Sequence, residues 1–303
     1  MSEYNIEKGS NIDEYVAEGP DLVVAQVVSE PPPRRRVWLP VGLFVATCLS
    51  TLYVGTLEED SLLGGLKYAV PLMTILICHE AGHFFQARRY GVHASFPYFI
   101  PMPVGPLGTF GAVIGMEAHK GDRKALFDIG ISGPLAGLVP TLIFCVLGLY
   151  YSEVAFANPR QGEMMAVSPP IFAMMSDAIL NPATGEYVTL HPMAFAGWVG
   201  LLVTALNLIP VGQLDGGHVL YALLRTGAHR VGSILLLCAV VIVAWLGMVH
   251  WLLMLFLLIM MGPVHPPTAD DNVPLGVGRV ILGWLTLAFI FIGFTPVPFM
   301  YVR

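Results

Sequence analysis

Residues 68–85 read YAVPLMTILICHEAGHFF, an apolar run that is interrupted near its end by His79, Glu80 and His83. As a helix, the run is long enough to cross most of a hydrocarbon core about 30 Å thick. Ionisable side chains inside such a segment are costly in lipid, which makes them functional candidates. The run therefore predicts a transmembrane helix that carries a polar site.

The composition of the chain agrees with a membrane location. Of its 303 residues, 55% are hydrophobic and 12% are charged, and the mean hydropathy is +0.70. Soluble domains carry roughly 25% charged residues, so a water-soluble globular protein is excluded. The net charge of -6 comes from residues 1–33, which hold seven acids and one lysine, and no basic patch in the sequence points to nucleic acid.

Five further apolar runs predict the other spans, near residues 37–54, 127–150, 193–211, 231–261 and 280–294. The expected fold is an all-α polytopic membrane protein with about six transmembrane helices. The run 231–261 would make one helix of about 46 Å. Such a helix must tilt strongly or break near Gly247–His250 into two passes, and we favour the break. Arg34, Arg35 and Arg36 precede the first run, which places the N-terminus in the cytoplasm by the positive-inside rule.

Three parts are expected along the chain. Residues 1–36 have the composition of a disordered, acidic cytoplasmic tail. Residues 37–262 form the membrane-embedded domain, and 263–303 form a cytoplasmic linker followed by a C-terminal transmembrane helix. The loop 151–192 is too short for a PDZ domain of roughly 90 residues, so a minimal membrane domain without one is expected.

The string His79-Glu80-Ala81-Gly82-His83 has the H-E-x-x-H spacing of zinc peptidases. Two histidines four positions apart face the same side of a helix and can bind one Zn²⁺, while the glutamate acts as general base. Catalytic zinc sites use three protein ligands, and Asp215 is the carboxylate on the same side of the predicted membrane. The alternative is that Asp215 caps a helix over 216–225.

These motifs carry a family resemblance. Residues 79–92, HEAGHFFQARRYGV, resemble the first signature of the site-2 proteases, the intramembrane zinc metalloproteases of peptidase family M50. Residues 207–216, NLIPVGQLDG, are similar to their second signature, N-x-x-P followed by D-G. The resemblance covers about residues 37–262 and implies a three-helix catalytic core. It also implies one Zn²⁺ per chain held by His79, His83 and Asp215, with Glu80 as the catalytic base.

Residues 132–137 resemble the Gly-Pro segment of that family, which suits close helix packing. The sequence departs from the family at Gly137, which stands near the place of an asparagine. For Asn207 the resemblance implies a position close to the active site, where it would hold the substrate backbone or the oxyanion. The alternative for Asn207 is a hydrogen bond between helices.

Segments 96–101 and 109–115 are aromatic or β-branched, too short to span, and broken by proline and glycine. They predict a small re-entrant β element. A free strand edge could pair with an unwound substrate helix, as similar segments of the family are thought to do. Thr109, Phe110 and Gly111 are therefore candidate substrate-binding residues; the alternative is a packed cytoplasmic loop.

The remaining histidines are expected to play no direct part. His93, His119 and His229 are expected in solvated loops, and His265 in a loop near the cytoplasmic face. His218 follows Asp215 by three residues and is expected to be a neighbour on the wrong face or a hydrogen-bond donor to a ligand.

The favoured function is an intramembrane zinc metalloprotease that cleaves transmembrane segments of membrane proteins, in regulated intramembrane proteolysis. Its expected partners are the lipid bilayer and a transmembrane substrate such as a membrane-anchored regulator, with no nucleic acid. The expected location is a prokaryotic inner or plasma membrane. The alternative is a metal-binding transporter or a catalytically silent scaffold. A transporter would show further intramembrane carboxylates and repeat symmetry, and a silent scaffold would have lost Glu80 or a ligand.

Overall fold

Most of the chain is helical in the computed structural model. The structure describes residues 37–117, 120–155, 164–183 and 186–301, and two short strands before them. These strands, β1 (Ile6–Lys8) and β2 (Tyr15–Ala17), pair antiparallel in a unit of their own that comprises residues 1–36. The rest of the tail that was expected to be disordered lies outside the described residues.

The helices of the second unit follow in chain order. They are α1 (Trp38–Glu59), α2 (Leu62–Arg89), α3 (Arg123–Tyr150), α4 (Pro170–Leu180), α5 (Pro192–Asn207), α6 (Asp215–Leu224), α7 (Gly227–Leu246), α8 (Leu252–Met261), α9 (Val277–Ala288) and α10 (Ile290–Gly293). In the described part, α1, α2, α3 and α7 are long and apolar enough to cross a membrane. The mostly helical membrane architecture is thereby confirmed, whereas the count of six spans stays a prediction.

The two central helices begin at polar caps. Ser61 accepts a hydrogen bond from the backbone N–H of Gly64 at the start of α2, and Asp122 accepts one from Ala125 at the start of α3. Such caps satisfy N–H groups that have no partner within the helix. Arg88 and Arg89 lie in the last turn of α2, where cations are favoured by the helix dipole.

The long apolar run breaks where the sequence predicted a break. Helix α7 ends at Leu246, and its C-cap Gly247 has a φ of 62°, in the left-handed region. A single 3₁₀ turn over Val249–Trp251 leads into α8. Helix α8 has 10 residues, which is about 15 Å of helix and half of a hydrocarbon core. The break is confirmed, and a second full pass remains a prediction.

A β-hairpin fills the stretch between α2 and α3. Its strands β3 (Tyr98–Met102) and β4 (Gly108–Val113) pair antiparallel, with an irregularity between Phe99 and Pro101. The tip reaches helices α1 and α2: Ser50 donates to the Gly108 carbonyl at 2.6 Å, and Tyr68 donates to the Leu107 carbonyl at 2.8 Å. The predicted β element is present, while its re-entrant course in a membrane stays a prediction.

Glycines allow the central helices to approach each other closely. A methyl group at Gly82 of α2 would lie 2.4 Å from the Ser132 carbonyl oxygen of α3. One at Gly148 of α3 would lie 2.1 Å from the backbone nitrogen of Ala194 in α5. Small residues at helix contacts are the usual solution in membranes, where tight packing drives association. Helices α2, α3 and α5 thus pack closely together as the core of this unit.

Short strands cover one end of this core. Strand β5 (Glu153–Ala155) pairs with β7 (Tyr187–Thr189), and β6 (Met164–Ala166) pairs with β8 (Phe299–Tyr301). Strands β5, β6 and β7 come after α3 in the chain. Beside them, the indole N–H of the buried Trp198 in α5 donates to the Val167 carbonyl. The chain therefore returns to this end of the core after α10.

Candidate metal centre

The H-E-x-x-H string lies within α2 and is buried. His79 and His83 are 4% and 6% exposed, and their Nε2 atoms are 3.2 Å apart. The two rings meet one helical turn apart, as the spacing predicted. Glu80, between them in sequence, is 5% exposed. The structure therefore brings His79, Glu80 and His83 together in the protein interior.

Asp215 completes the group. Its Oδ2 lies 3.1 Å from His79 Nε2, and its Oδ1 lies 3.2 Å from His83 Nε2. Asp215 is the first residue of α6, and the N-cap position belongs to Leu214. The alternative interpretation of Asp215 as a helix cap is therefore wrong, because the carboxylate turns toward the histidines instead.

The loop between α5 and α6 needs glycine to deliver Asp215. Gly212 has a φ of 58°, in the left-handed region that glycine adopts readily. A methyl group at Gly216 would lie 1.9 Å from the Leu208 carbonyl oxygen. The chain folds back on itself here, and side chains at these positions would open the fold. This tight return places the first residue of α6 against α2.

Helix α3 orients His83 and leaves room for it. The His83 Nδ1–H donates to the Ile129 carbonyl at 2.8 Å. One turn further, a methyl group at Gly133 would lie 2.0 Å from His83 Nε2, and one at Gly137 would lie 3.0 Å from His79 Cβ. The close packing expected of residues 132–137 is thereby confirmed, and its consequence is space for the two imidazoles.

The donor set fits a zinc ion. Because the partner of His83 Nδ1 is a carbonyl, that nitrogen carries the hydrogen, and Nε2 of the neutral ring presents a lone pair. This lone pair, His79 Nε2 and the Asp215 carboxylate converge, with ligand atoms within 4.8 Å of one another. Tetrahedral zinc, bound at about 2.0–2.1 Å, has ligand atoms about 3.3 Å apart, close to the contacts seen here. Zinc is the metal that this donor set suits.

Asn207 lies beside the group, at the C-terminal end of α5. Its side-chain amide nitrogen is 3.4 Å from His79 Nε2. Of the hairpin residues, Thr109 is buried and bonds within the hairpin: it donates to the Ile100 carbonyl and accepts from the Gly111 N–H. In the described part of the chain no hydrogen bond joins Thr109, Phe110 or Gly111 to the metal group. Their role in substrate binding stays a prediction.

A second histidine pair joins α6 to the segment after α8. The sequence did not predict this contact. His218 and His265 are 7% and 2% exposed, and His218 Nδ1 lies 2.6 Å from His265 Nε2. His229 was expected in a solvated loop but belongs to α7, and its Nε2 bonds the His265 carbonyl at 3.0 Å. His119 lies outside the described residues. No local pattern marks this pair, because 47 positions separate its members.

Burial lowers the pKa of His265 to about 4, and the neighbouring His229 acts in the same direction. His265 is therefore neutral at pH 7. For Asp271, burial acts to raise the pKa, but hydrogen bonds from Thr268 and Tyr221 outweigh it and hold the pKa below its ordinary value. This carboxylate is ionised at neutral pH.

An ion pair joins the C-terminal part of the chain to α3. Arg279 of α9 donates from Nε and Nη2 to the two oxygens of Asp128, each at 2.8 Å, and Tyr90 donates to Asp128 Oδ2 at 2.5 Å. Asp128 precedes Ile129, whose carbonyl holds His83. The sequence offered no signal for this pair, which is 151 positions apart.

The chain is similar to known metalloproteases in sequence. The model of "Peptidase family M50" matches residues 67–246. "Probable zinc metalloprotease EGY2, chloroplastic" of Arabidopsis thaliana is 27% identical over 289 residues, covering 87% of this chain and 50% of that protein. "Probable zinc metalloprotease EGY1, chloroplastic" of Oryza sativa subsp. japonica is 37% identical over 164 residues, covering 51% of this chain and 27% of that protein. The chain thus spans half the length of the first of these relatives and less of the second.

One solved structure was also found. The "Site-2 Protease from Methanocaldococcus jannaschii" superposes with a TM-score of 0.39 and 16% sequence identity, over 72% of this chain and 84% of that one.

Proposed function

The chain belongs to peptidase family M50, and we propose that it is a zinc-dependent intramembrane endopeptidase. The observation that carries the proposal is the convergence of His79, His83 and Asp215 beside the buried Glu80. A catalytically silent scaffold does not require three metal ligands and a buried glutamate. No feature of the described residues favours a transporter.

The ligand roles follow from the donor atoms. His79 and His83 would hold the ion through Nε2 and Asp215 through its carboxylate, one ion per chain. Bound there, zinc would polarise a substrate carbonyl and lower the pKa of a water molecule. Glu80 would take a proton from that water on its carboxylate and deliver it to the nitrogen of the departing amine. Asn207, whose amide lies next to His79, would donate to the substrate carbonyl oxygen as negative charge develops on it.

The hairpin would supply the substrate-binding edge. Among the described residues the sheet has two strands, β3 and β4, and the outer edge of such a sheet can pair with an extended peptide. We propose that Thr109, Phe110 and Gly111 contact an unwound transmembrane segment of a membrane-protein substrate there. Gly111 has a φ of 94°, in the left-handed region that glycine adopts readily.

The membrane and the orientation are also proposals. Arg34, Arg35 and Arg36 before α1 support a cytoplasmic N-terminus. We propose a prokaryotic inner or plasma membrane and retain the division at residues 36 and 262 into tail, membrane domain and C-terminal part. Both curated relatives named above are chloroplastic, so fractionation of the native cells would distinguish a plastid membrane from a plasma membrane.

The test of the function is the Glu80→Gln variant of the purified protein with a model transmembrane substrate. Zinc content should stay near one per chain while cleavage disappears, because the amide cannot accept the proton. Glu59→Gln, at the exposed end of α1, is the matched control and should cleave normally. Cleavage by the Glu80→Gln protein would remove Glu80 from the role of base, and a wild-type protein without zinc would contradict the proposal as a whole.

A further inference from the structure

Residues 262–274, between α8 and α9, lie against the part of the chain that delivers Asp215. This segment falls beyond residues 67–246, which the family model matches. It starts beside the loop before α6, where a methyl group at Gly212 would lie 2.3 Å from the Gly262 carbonyl oxygen. It ends beside the start of α3, where the Arg123 N–H donates to the Asp270 carbonyl at 3.2 Å.

His265 is the deepest residue of the segment and contacts α6 through a directed chain of hydrogen bonds. Its Nδ1 lies 2.6 Å from the Pro266 carbonyl, which can only accept, so Nδ1 carries the hydrogen. In the neutral ring Nε2 must then accept, and His218 Nδ1–H must donate to it. His218 follows Asp215 by three residues and lies on the same face of α6. The pair thus connects the segment to the helix one turn after Asp215.

Tyr221 adds a second contact along the same helix. Its ring stacks on His265, with centroids 4.5 Å apart and an angle of 23° between the planes. Its hydroxyl donates to Asp271 Oδ2 at 2.8 Å, and Asp271 Oδ1 accepts from the Thr268 hydroxyl at 2.6 Å. Two successive turns of α6 therefore bond to the segment.

Helix α6 depends on such contacts for its position. It has only 10 residues, and isolated helices shorter than about 12 residues are marginal even in favourable sequences. Its far end is held by Arg123, which donates from Nε to the Ala222 carbonyl at 2.6 Å and from Nη2 to the Leu223 carbonyl at 3.1 Å. Closer to Asp215, the 262–274 segment bonds to the helix at His218, one turn after Asp215.

We propose that His265 is a positioning residue of the metal centre: through His218 it fixes the first turns of α6 and so holds the Asp215 carboxylate against His79 and His83. The inference rests on the proposed function in one respect, the binding of a metal by these three residues. It goes beyond that function by giving the C-terminal part of the chain a role in metal retention.

The experiment compares zinc release from wild type and from three substitutions of His265. His265→Phe keeps the ring on Tyr221 but removes both nitrogens, and His265→Asn is too short to reach His218. His265→Gln can still offer an oxygen to His218 Nδ1–H. His250→Phe is the matched control, because His250 is exposed in the 3₁₀ turn before α8. The readouts are the rate at which a chelator extracts zinc, the amide hydrogen exchange of residues 215–224 in metal-free protein, and kcat and KM.

Zinc should leave the Phe and Asn variants about 10-fold faster than wild type, as for other residues that support metal ligands. Amide exchange in residues 215–224 should rise, and kcat should fall with KM unchanged. The Gln variant should stay close to wild type, and the His250→Phe protein should match it. The proposal is overturned if zinc release and exchange of the Phe variant equal those of wild type. If the Phe variant does not fold, equal behaviour of the Asn and Gln variants overturns it.

The amide hydrogen exchange of metal-free protein tests the role of His265 independently of zinc binding and cleavage. A wild-type protein that binds no zinc would contradict the proposed function, while faster exchange of residues 215–224 in the Phe and Asn variants would still show that His265 positions α6. Normal zinc binding with unchanged exchange and release in those variants would leave the function intact and refute the inference.

Discussion

His83 and Ile129 are joined by a hydrogen bond of 2.8 Å in which the imidazole Nδ1–H donates to the backbone carbonyl. This bond turns the other nitrogen of His83 toward His79 and Asp215. A partner of this kind fixes the tautomer of a metal-ligating histidine. Because the acceptor belongs to the backbone of α3, the orientation of the ligand depends on how closely α3 packs on α2.

Gly133→Ala tests that dependence. The added methyl group would lie 2.0 Å from His83 Nε2, so the ring must move off the metal position. We expect zinc affinity to fall by about 10- to 100-fold, and cleavage with it. Zinc titration of the purified protein measures the effect. Gly42→Ala in α1, where a methyl group meets nothing within 4 Å, should leave zinc affinity unchanged.

Asp215→Asn tests the third ligand. The amide is nearly the same size as the carboxylate but lacks its charge, so the ion would lose its anionic ligand while α6 keeps its first residue. We expect substoichiometric zinc and loss of cleavage, with no change in helix content by circular dichroism. Asp177→Asn, exposed in α4, is the control. Full zinc content in Asp215→Asn would mean that another residue completes the site.

Gly108→Ala tests the hairpin. Gly108 has a φ of 74°, and a methyl group would lie 2.7 Å from Thr51 Cα in α1, so the hairpin tip must leave its place. We expect kcat/KM on a transmembrane substrate to fall about 10-fold through misplacement of the peptide, with zinc content unchanged. Gly115→Ala, with 3.3 Å to the Ser95 hydroxyl, is the milder control. Loss of zinc would show that the hairpin supports the metal centre instead.

Arg279→Lys tests the ion pair with Asp128. A lysine ammonium cannot make both hydrogen bonds that the guanidinium makes at 2.8 Å. Arg279 is partly exposed, so we expect a loss of only about 1 kcal/mol in the free energy of unfolding. Thermal unfolding in detergent, with Arg230→Lys as control, measures it. In a double-mutant cycle with Asp128→Asn, additive losses would mean that the pair contributes nothing.

The free energy of unfolding should depend on pH through the titration of His265. Its pKa is lowered to about 4 in the folded protein, from an ordinary value near 6.5. The unfolded chain binds the proton first as the pH falls, so this stability is complete above about pH 6.5 and is lost toward pH 4. The groups that face His265 are His218, His229, Tyr221 and Asp271. Unfolding midpoints from pH 7 to 4 should fall less steeply in His265→Gln than in wild type, and equal slopes would contradict the assignment.

The sequence was most informative where the geometry is local or is constrained by the membrane. The spacing of His79 and His83 determines their common face in any helix. The placement of lysine and arginine in the sequence predicted that Asp215 lies on the same side of the membrane. The length of the run from 231 to 261 exceeds one crossing, which predicted either a strong tilt or a break near Gly247, and the structure has the break.

The contacts that position these residues were beyond sequence reasoning. His265 and Arg279 meet His218 and Asp128 across 47 and 151 positions, and neither belongs to a periodic pattern. The N-cap alternative for Asp215 was reasonable by residue type, because aspartate is a frequent cap. It is wrong because the helix starts one residue earlier, with Leu214 at the N-cap, and the Asp215 carboxylate contacts His79 and His83.

The pairing of β8 with β6 determines where the last part of the chain must run. Ala269 donates to the Gly121 carbonyl at the start of α3, whereas Val167, just after β6, donates to the Pro298 carbonyl near the opposite end. Between these two hydrogen bonds the chain passes from the start of α3 toward its C-terminal end, through the short helices α9 and α10. We therefore expect a reporter fused after residue 301 and a reporter inserted at residue 121 to lie on opposite sides of the membrane.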